Sequence, residues 1–169
     1  MLAALVALAG MFVALYLTLY KLGYIGTLVC AVGSCETVQT SKWATFLGFP
    51  VGGWGVAYYV AVFALSITGL SAALSESRGV SLLLVGMTGF GVLFSLWLTY
   101  LELFVIHAIC QWCVISAILA TALFVISVLD LREVMAFGDA LGAELRAGRY
   151  GGAIRNTAEV SLRAIEPEK

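Results

Sequence analysis

Four long apolar runs alternate with polar breaks along this chain. Residues 2–20 are 19 positions without a charge, about the length that crosses ~30 Å of hydrocarbon. A signal peptide is the competing reading, because the Ala-rich start resembles one. There is no basic n-region, however, and the run exceeds the roughly 7–15 residues of a typical apolar signal core. The pattern therefore predicts a retained first helix. Residues 21–49 break it with glycines, Glu36, Lys42 and several Thr, Gln and Ser. This predicts a loop of 29 residues outside the membrane, long enough to be functional. Within it, residues 34–43 are expected to form a short interfacial helix with Trp43 at headgroup level.

Pro50 opens the second span, residues 51–71, where its missing N–H would be unpaired in any case. Gly52, Gly53 and Gly55 follow at once and allow a neighbouring helix or a flat ligand close to the backbone. Residues 72–79 read as a short polar turn with Glu76 and Arg78. The third span covers 80–106 and is interrupted only by Glu102; the fourth runs over 110–129 and ends at Asp130-Leu131-Arg132. The expected fold is an all-α integral membrane protein, a four-transmembrane-helix bundle with a long non-cytoplasmic loop between helices 1 and 2.

Composition agrees. The 169 residues are 62% hydrophobic and 11% charged, against about 25% charged in an ordinary soluble domain. A net charge of −1 gives nothing that points to nucleic acid. The simplest partition is a membrane domain over 1–130 and a cytoplasmic tail over 131–169. The tail carries six basic and six acidic residues, and Met135, Phe137, Leu141 and Leu145 hint at a weak amphipathic helix. No chemistry is assigned to it.

An even number of spans puts both ends on one side of the membrane and the long loop on the other. Arg78, Arg132, Arg146 and Arg149 lie on the terminal side, Lys21 and Lys42 opposite. The positive-inside bias makes the terminal side cytoplasmic. The four cysteines then face the non-cytoplasmic side, where disulfides persist in bacteria. The expected location is a bacterial cytoplasmic membrane, with the cysteines on its periplasmic side.

Those cysteines carry the candidate chemistry. They fall in two close pairs, Cys30-x4-Cys35 in the loop and Cys110-Gln111-Trp112-Cys113 at the start of the fourth span. Thiols at i and i+3 share a helix face, and a helix start favours the thiolate. Three readings stand: a thiol–disulfide relay, a four-thiolate zinc site, and two inert structural disulfides. Cys₄ zinc sites usually join two pairs within one small soluble unit, whereas two spans separate these pairs. Haem attachment needs a His after the second cysteine, and position 114 is Val. No metal is expected. A relay has a direction: the loop pair can meet a soluble protein, and the helix-start pair faces the bilayer edge. With no Rossmann or P-loop fingerprint, a lipid-soluble quinone is the natural two-electron acceptor.

At these residues the chain resembles the vitamin K epoxide reductase family in its bacterial form. The shared pattern is Cys30, Gly33-Ser34-Cys35-Glu36, Val38 and Ser41-Lys42-Trp43, then Gly48-x-Pro50, Gly55 and Tyr59, then Tyr100-x-Glu102 and Cys110-x-x-Cys113. The resemblance covers about residues 1–130. It implies a four-helix bundle around a quinone pocket near the outer face. It further implies that a thioredoxin-like partner attacks the Cys30–Cys35 disulfide at Cys30, that Cys35 exchanges with Cys110, and that Cys113 passes electrons to quinone. The tail has no second Cys-x-x-Cys, so the thioredoxin-like protein is expected to be separate. Animal members carry an Asn near the start of the second span and a Tyr just after the helix-start pair. Small or apolar Val51 and Ala117 stand at the comparable positions here, which favours plain ubiquinone or menaquinone over vitamin K epoxide. Ser41, Val51, Gly55 and Ala117 are thus the candidate quinone contacts. Glu102 is a candidate proton carrier, since intramembrane carboxyls are expensive, and His107, three residues before Cys110, a candidate thiolate-tuning group. Trp54, Trp97 and Trp112 read as packing or belt residues. The alternatives are a vitamin K epoxide or quinone reductase driven by a reducing partner, and a non-enzymatic cysteine-rich membrane module.

Overall fold

The computed structural model describes residues 1–69, 78–146 and 148. In chain order the elements are α1 (Leu2–Lys21), α2 (Cys35–Thr40), a 3-10 turn (Lys42–Ala44), the two-residue strands β1 (Thr45–Phe46) and β2 (Phe49–Pro50), α3 (Val51–Thr68), α4 (Arg78–Leu101), a π-helical turn (Glu102–Ile106) and α5 (Gln111–Arg146). α1, α3, α4 with its π turn, and α5 are each long and apolar enough to cross a membrane. The protein is an all-α membrane protein with four such helices.

The expected loop after the first span divides into parts. α2 occupies the middle of the predicted interfacial helix, and Ser41 ends it in an extended conformation. Trp43 belongs to the separate 3-10 turn. β1 and β2 pair antiparallel through a tight turn at Leu47 and Gly48. Both turn residues have positive φ, 52° and 81°, the twist that a two-residue hairpin requires.

One span boundary differs from expectation. The third span reaches Ile106 as expected, with the regular α-helix stopping at Leu101 and widening into the π turn. At this turn the Glu102 carboxylate Oε2 accepts the backbone N–H of Cys110 at 3.1 Å, and its carbonyl accepts the N–H of Ala108 at 3.0 Å. Wide turns of this kind are rare and often mark functional sites. The fourth helix does not end at Asp130–Arg132 but continues to Arg146. Charged residues end an apolar run without ending a helix, and no proline or terminal glycine intervenes. Residues 70–77, which include the expected end of the second span and most of the expected turn, lie outside the described residues. So do residue 147 and residues 149–169 of the tail.

The chain divides into two compact units, Met1–Leu131 and Arg132–Lys169. In the second, the described helical residues expose Met135, Phe137, Leu141 and Leu145. In the first, α1 and α3 approach most closely at small residues. A Cβ on Gly52 would meet Thr18 Oγ1 at 2.8 Å, and one on Gly55 would meet the Ala14 Cβ at 3.2 Å. Without a hydrophobic driving force between helices in lipid, such backbone-close packing supplies the attraction. Ala7, Ala14, Tyr59, Val62, Leu84 and Leu123 form the core between the four helices.

Candidate active site

The second buried cluster holds the chemistry. Leu17, Leu28, Cys35, Val38 and Cys110 pack together, with Cys30, Trp112 and Cys113 against them. Cys30 and Cys35 are joined in a disulfide with 6.1 Å between Cα atoms. Cys110 and Cys113 are free thiols. Cys35 is 1% exposed and Cys110 0%, whereas Cys30 is half-buried. An incoming thiolate therefore finds the loop disulfide open at the Cys30 side.

The loop is bound to the start of α5 through the motif itself. Gly33 and Cys110 form an antiparallel bridge, and the Ser34 N–H donates to the Ile109 carbonyl at 2.9 Å. Gly33 has φ of +91°, and a Cβ there would run into that same carbonyl. The side-chain oxygen of Gln111 accepts the N–H groups of Ala31 and Val32 at 3.0 and 3.2 Å. The indole N–H of Trp112 donates to the Val29 carbonyl at 2.9 Å, and its ring packs on Tyr16 with centroids 5.0 Å apart. Tyr16 in turn accepts the Val29 N–H at 3.1 Å. Gln111 and Trp112, for which the motif by itself assigns no docking role, hold the loop. Their position between two cysteines was the available signal, because a polar side chain at the mouth of a membrane helix must find partners.

Cys110 stands one residue ahead of α5, and its carbonyl accepts the Val114 N–H at 3.1 Å. Its thiol is held below the ordinary free-cysteine range: the hydrogen bond from the Cys113 thiol contributes most, and the backbone N–H groups of Cys113 and Trp112 add to it. Burial and the Glu102 charge work against the thiolate without overcoming these bonds. Titrating the thiolate ultraviolet absorbance, against a Cys110→Ser control, should give a midpoint below that of a free cysteine. A midpoint at the ordinary free-cysteine value of about 8.5 would contradict this arrangement.

Beside the thiols lies a cavity of about 440 Å³, inside the roughly 300–1,000 Å³ range of small-molecule sites. Its walls come from all four long helices and from the loop between α2 and β2, and they are overwhelmingly apolar. Cys113 lies on the wall and Cys110 does not. The sequence-predicted residues divide similarly. Ser41, Val51, Gly55 and Glu102 line the cavity. Ala117 does not: Cys113, Ser116 and Ala120 present the facing side of α5, and the helical step carries Ala117 onto its flank. His107 is exposed and turns the chain in the left-handed conformation at φ 53°. The charged side chain brought to the thiols is Glu102, buried at 4% exposure, and not His107. The Ser41 hydroxyl donates to the Val38 carbonyl at 2.7 Å, so its proton is committed to closing α2.

Comparison with known families decides the class. The model of the vitamin K epoxide reductase family matches residues 1–128. The chain belongs to the vitamin K epoxide reductase family. It is a multi-pass membrane thiol–disulfide oxidoreductase, of a family generally associated with quinones. In this member of the family two tyrosines on α3, next to each other in sequence, shape the cavity. Tyr59 is buried and its hydroxyl pairs with Ser116, at 2.9 Å to the side chain and 3.0 Å to the carbonyl. Tyr58 lines the cavity without any such pairing.

Proposed function

We propose that this oxidoreductase reoxidises a separate, periplasmic thioredoxin-like protein in a bacterial inner membrane and passes the electrons to ubiquinone or menaquinone. The observation that carries the reading is the division of the helix-start pair: Cys110 packs in one cluster with Cys35 under the loop, and Cys113 lines the apolar cavity.

The residues present fit a quinone. The cavity is large enough, nearly all apolar, and has a thiol on its wall. A quinone bound there supplies a sink for two electrons and two protons. The chain's own steps begin at Cys30, whose sulfur is attacked by a partner thiolate, releasing Cys35 as thiolate. The second partner thiol breaks the mixed disulfide, and the partner leaves oxidised. Cys35 then attacks Cys110 of a Cys110–Cys113 disulfide and releases Cys113. Cys30 attacks Cys35, restores the loop disulfide and releases Cys110. A low thiol pKa makes Cys110 a good leaving group in that last exchange. The loop pair is again oxidised and the helix-start pair reduced, which is the pattern of bonds in the structure. Closing the Cys110–Cys113 disulfide then gives up two electrons and two protons beside the cavity. Glu102, next to both thiols, is placed to take a proton as they are lost.

The relay is tested by trapping. In a Cys30→Ser, Cys113→Ser variant, Cys35 and Cys110 are left without their usual resolving partners. Non-reducing peptide mapping should recover a Cys35–Cys110 disulfide as the major linked species. Recovery of two unlinked thiols after mild oxidation would remove the relay.

A further inference from the structure

We infer that the hydroxyl of Tyr58 is the hydrogen-bond donor that recognises a carbonyl oxygen of the quinone in this cavity. The inference rests on the quinone reading above and adds a recognition residue to it.

Among the described residues, Tyr58 Oη is the one buried side-chain oxygen or nitrogen without a hydrogen-bond partner. A hydroxyl removed from water and left unpaired is costly, so such a group calls for an occupant. Tyr58 lines the cavity, and so does Gly91, the residue its hydroxyl sits against. A Cβ at Gly91 would overlap that hydroxyl and the ring carbon bearing it. The small residue on α4 is what admits the phenol to this depth. The ring is held from the other side by Tyr59, with centroids 5.0 Å apart and planes at 68°.

Several other polar groups on the wall are already engaged. The Tyr59 hydroxyl is with Ser116, the Ser41 hydroxyl with Val38, the Thr99 hydroxyl with the Ser95 carbonyl at 2.9 Å, and the Trp54 N–H with the Phe46 carbonyl at 3.1 Å. An apolar lipid chain would leave Tyr58 unpaired. A flat ring with an acceptor oxygen would pair it, while the apolar walls take the ring faces. Val51 offers no hydrogen bond and Ala117 stands off the wall, so recognition of the carbonyl falls to a different residue on α3.

Tyr58→Phe removes one oxygen atom and keeps the ring. Binding of decyl-ubiquinone and of menadione is followed by quenching of tryptophan fluorescence in the fully oxidised protein, where no turnover occurs. The expected result is a weakening of about 3- to 10-fold, the scale of one hydrogen bond, with a matching rise in KM and little change in kcat. A naphthalene analogue without carbonyl oxygens should bind wild type and variant equally. Without ligand, the variant should melt at the wild-type temperature or above it, since it no longer buries an unpaired hydroxyl. Equal quinone affinity in variant and wild type overturns the Tyr58 assignment and leaves the proposed function standing. A wild-type protein that binds no quinone overturns both.

Discussion

Replacing Cys113 with alanine is expected to abolish quinone reduction, by about 10³-fold or more, the scale on which removal of a covalent nucleophile acts. Cys113 is the one cysteine on the cavity wall, and no other thiol can close a disulfide with Cys110 while facing that space. The loop disulfide is formed by two other cysteines, so the variant should still exchange with a reduced thioredoxin-like protein. The two half-reactions are measured separately: quinone absorbance for the first, trapping of free thiols on the partner for the second. Quinone turnover at the wild-type rate in Cys113→Ala would end the proposed electron path. Loss of both half-reactions, with the helical circular dichroism intact, would mean that the thiol pair also holds the loop in place.

Glu102→Ala is expected to lower quinone turnover about 10-fold or more. The carboxylate accepts the Cys110 N–H, and a hydrogen bond to a charged group contributes about 1.5–3 kcal/mol. Losing it frees the turn that sets Cys110 against the loop and removes the candidate proton acceptor together. Glu102→Gln separates the two effects, because the amide oxygen can still take the N–H. The Glu102 charge raises the Cys110 pKa, so its neutralisation should lower the thiolate midpoint. Turnover near wild type in Gln but not in Ala would assign Glu102 a positioning role. Turnover lost in both, together with the shifted midpoint, would assign it proton transfer. Wild-type turnover in Ala would exclude both.

Much of the fold was legible because lipid imposes a simple rule: every backbone polar group must be satisfied within the segment, so long charge-free runs become helices. That rule found four spans, placed one cysteine pair in the loop after the first span and the other at the start of the fourth, and marked Glu102 as costly. It was blind to helix ends. Asp130 and Arg132 end an apolar run without breaking a helix, and α5 continues to Arg146. It was equally blind to the π turn and to the bond there between the Glu102 side chain and a backbone group eight residues away. Ala117 was carried over from a family position, and the rotation of α5 turns Ser116 and Ala120 to the cavity instead.

By itself, the sequence determined the membrane class, the number of spans and the two redox pairs, since these depend on local hydropathy and on spacing along one strand of chain. The tertiary structure decided how the pairs are placed. Only the docking of the loop by Gln111, Trp112 and the Gly33–Cys110 bridge packs Cys35 with Cys110. Only the crossing of α3 over α4 at Gly91 leaves the Tyr58 hydroxyl unpaired beside the cavity. Both are contacts between residues far apart in sequence, which no periodicity along the chain encodes.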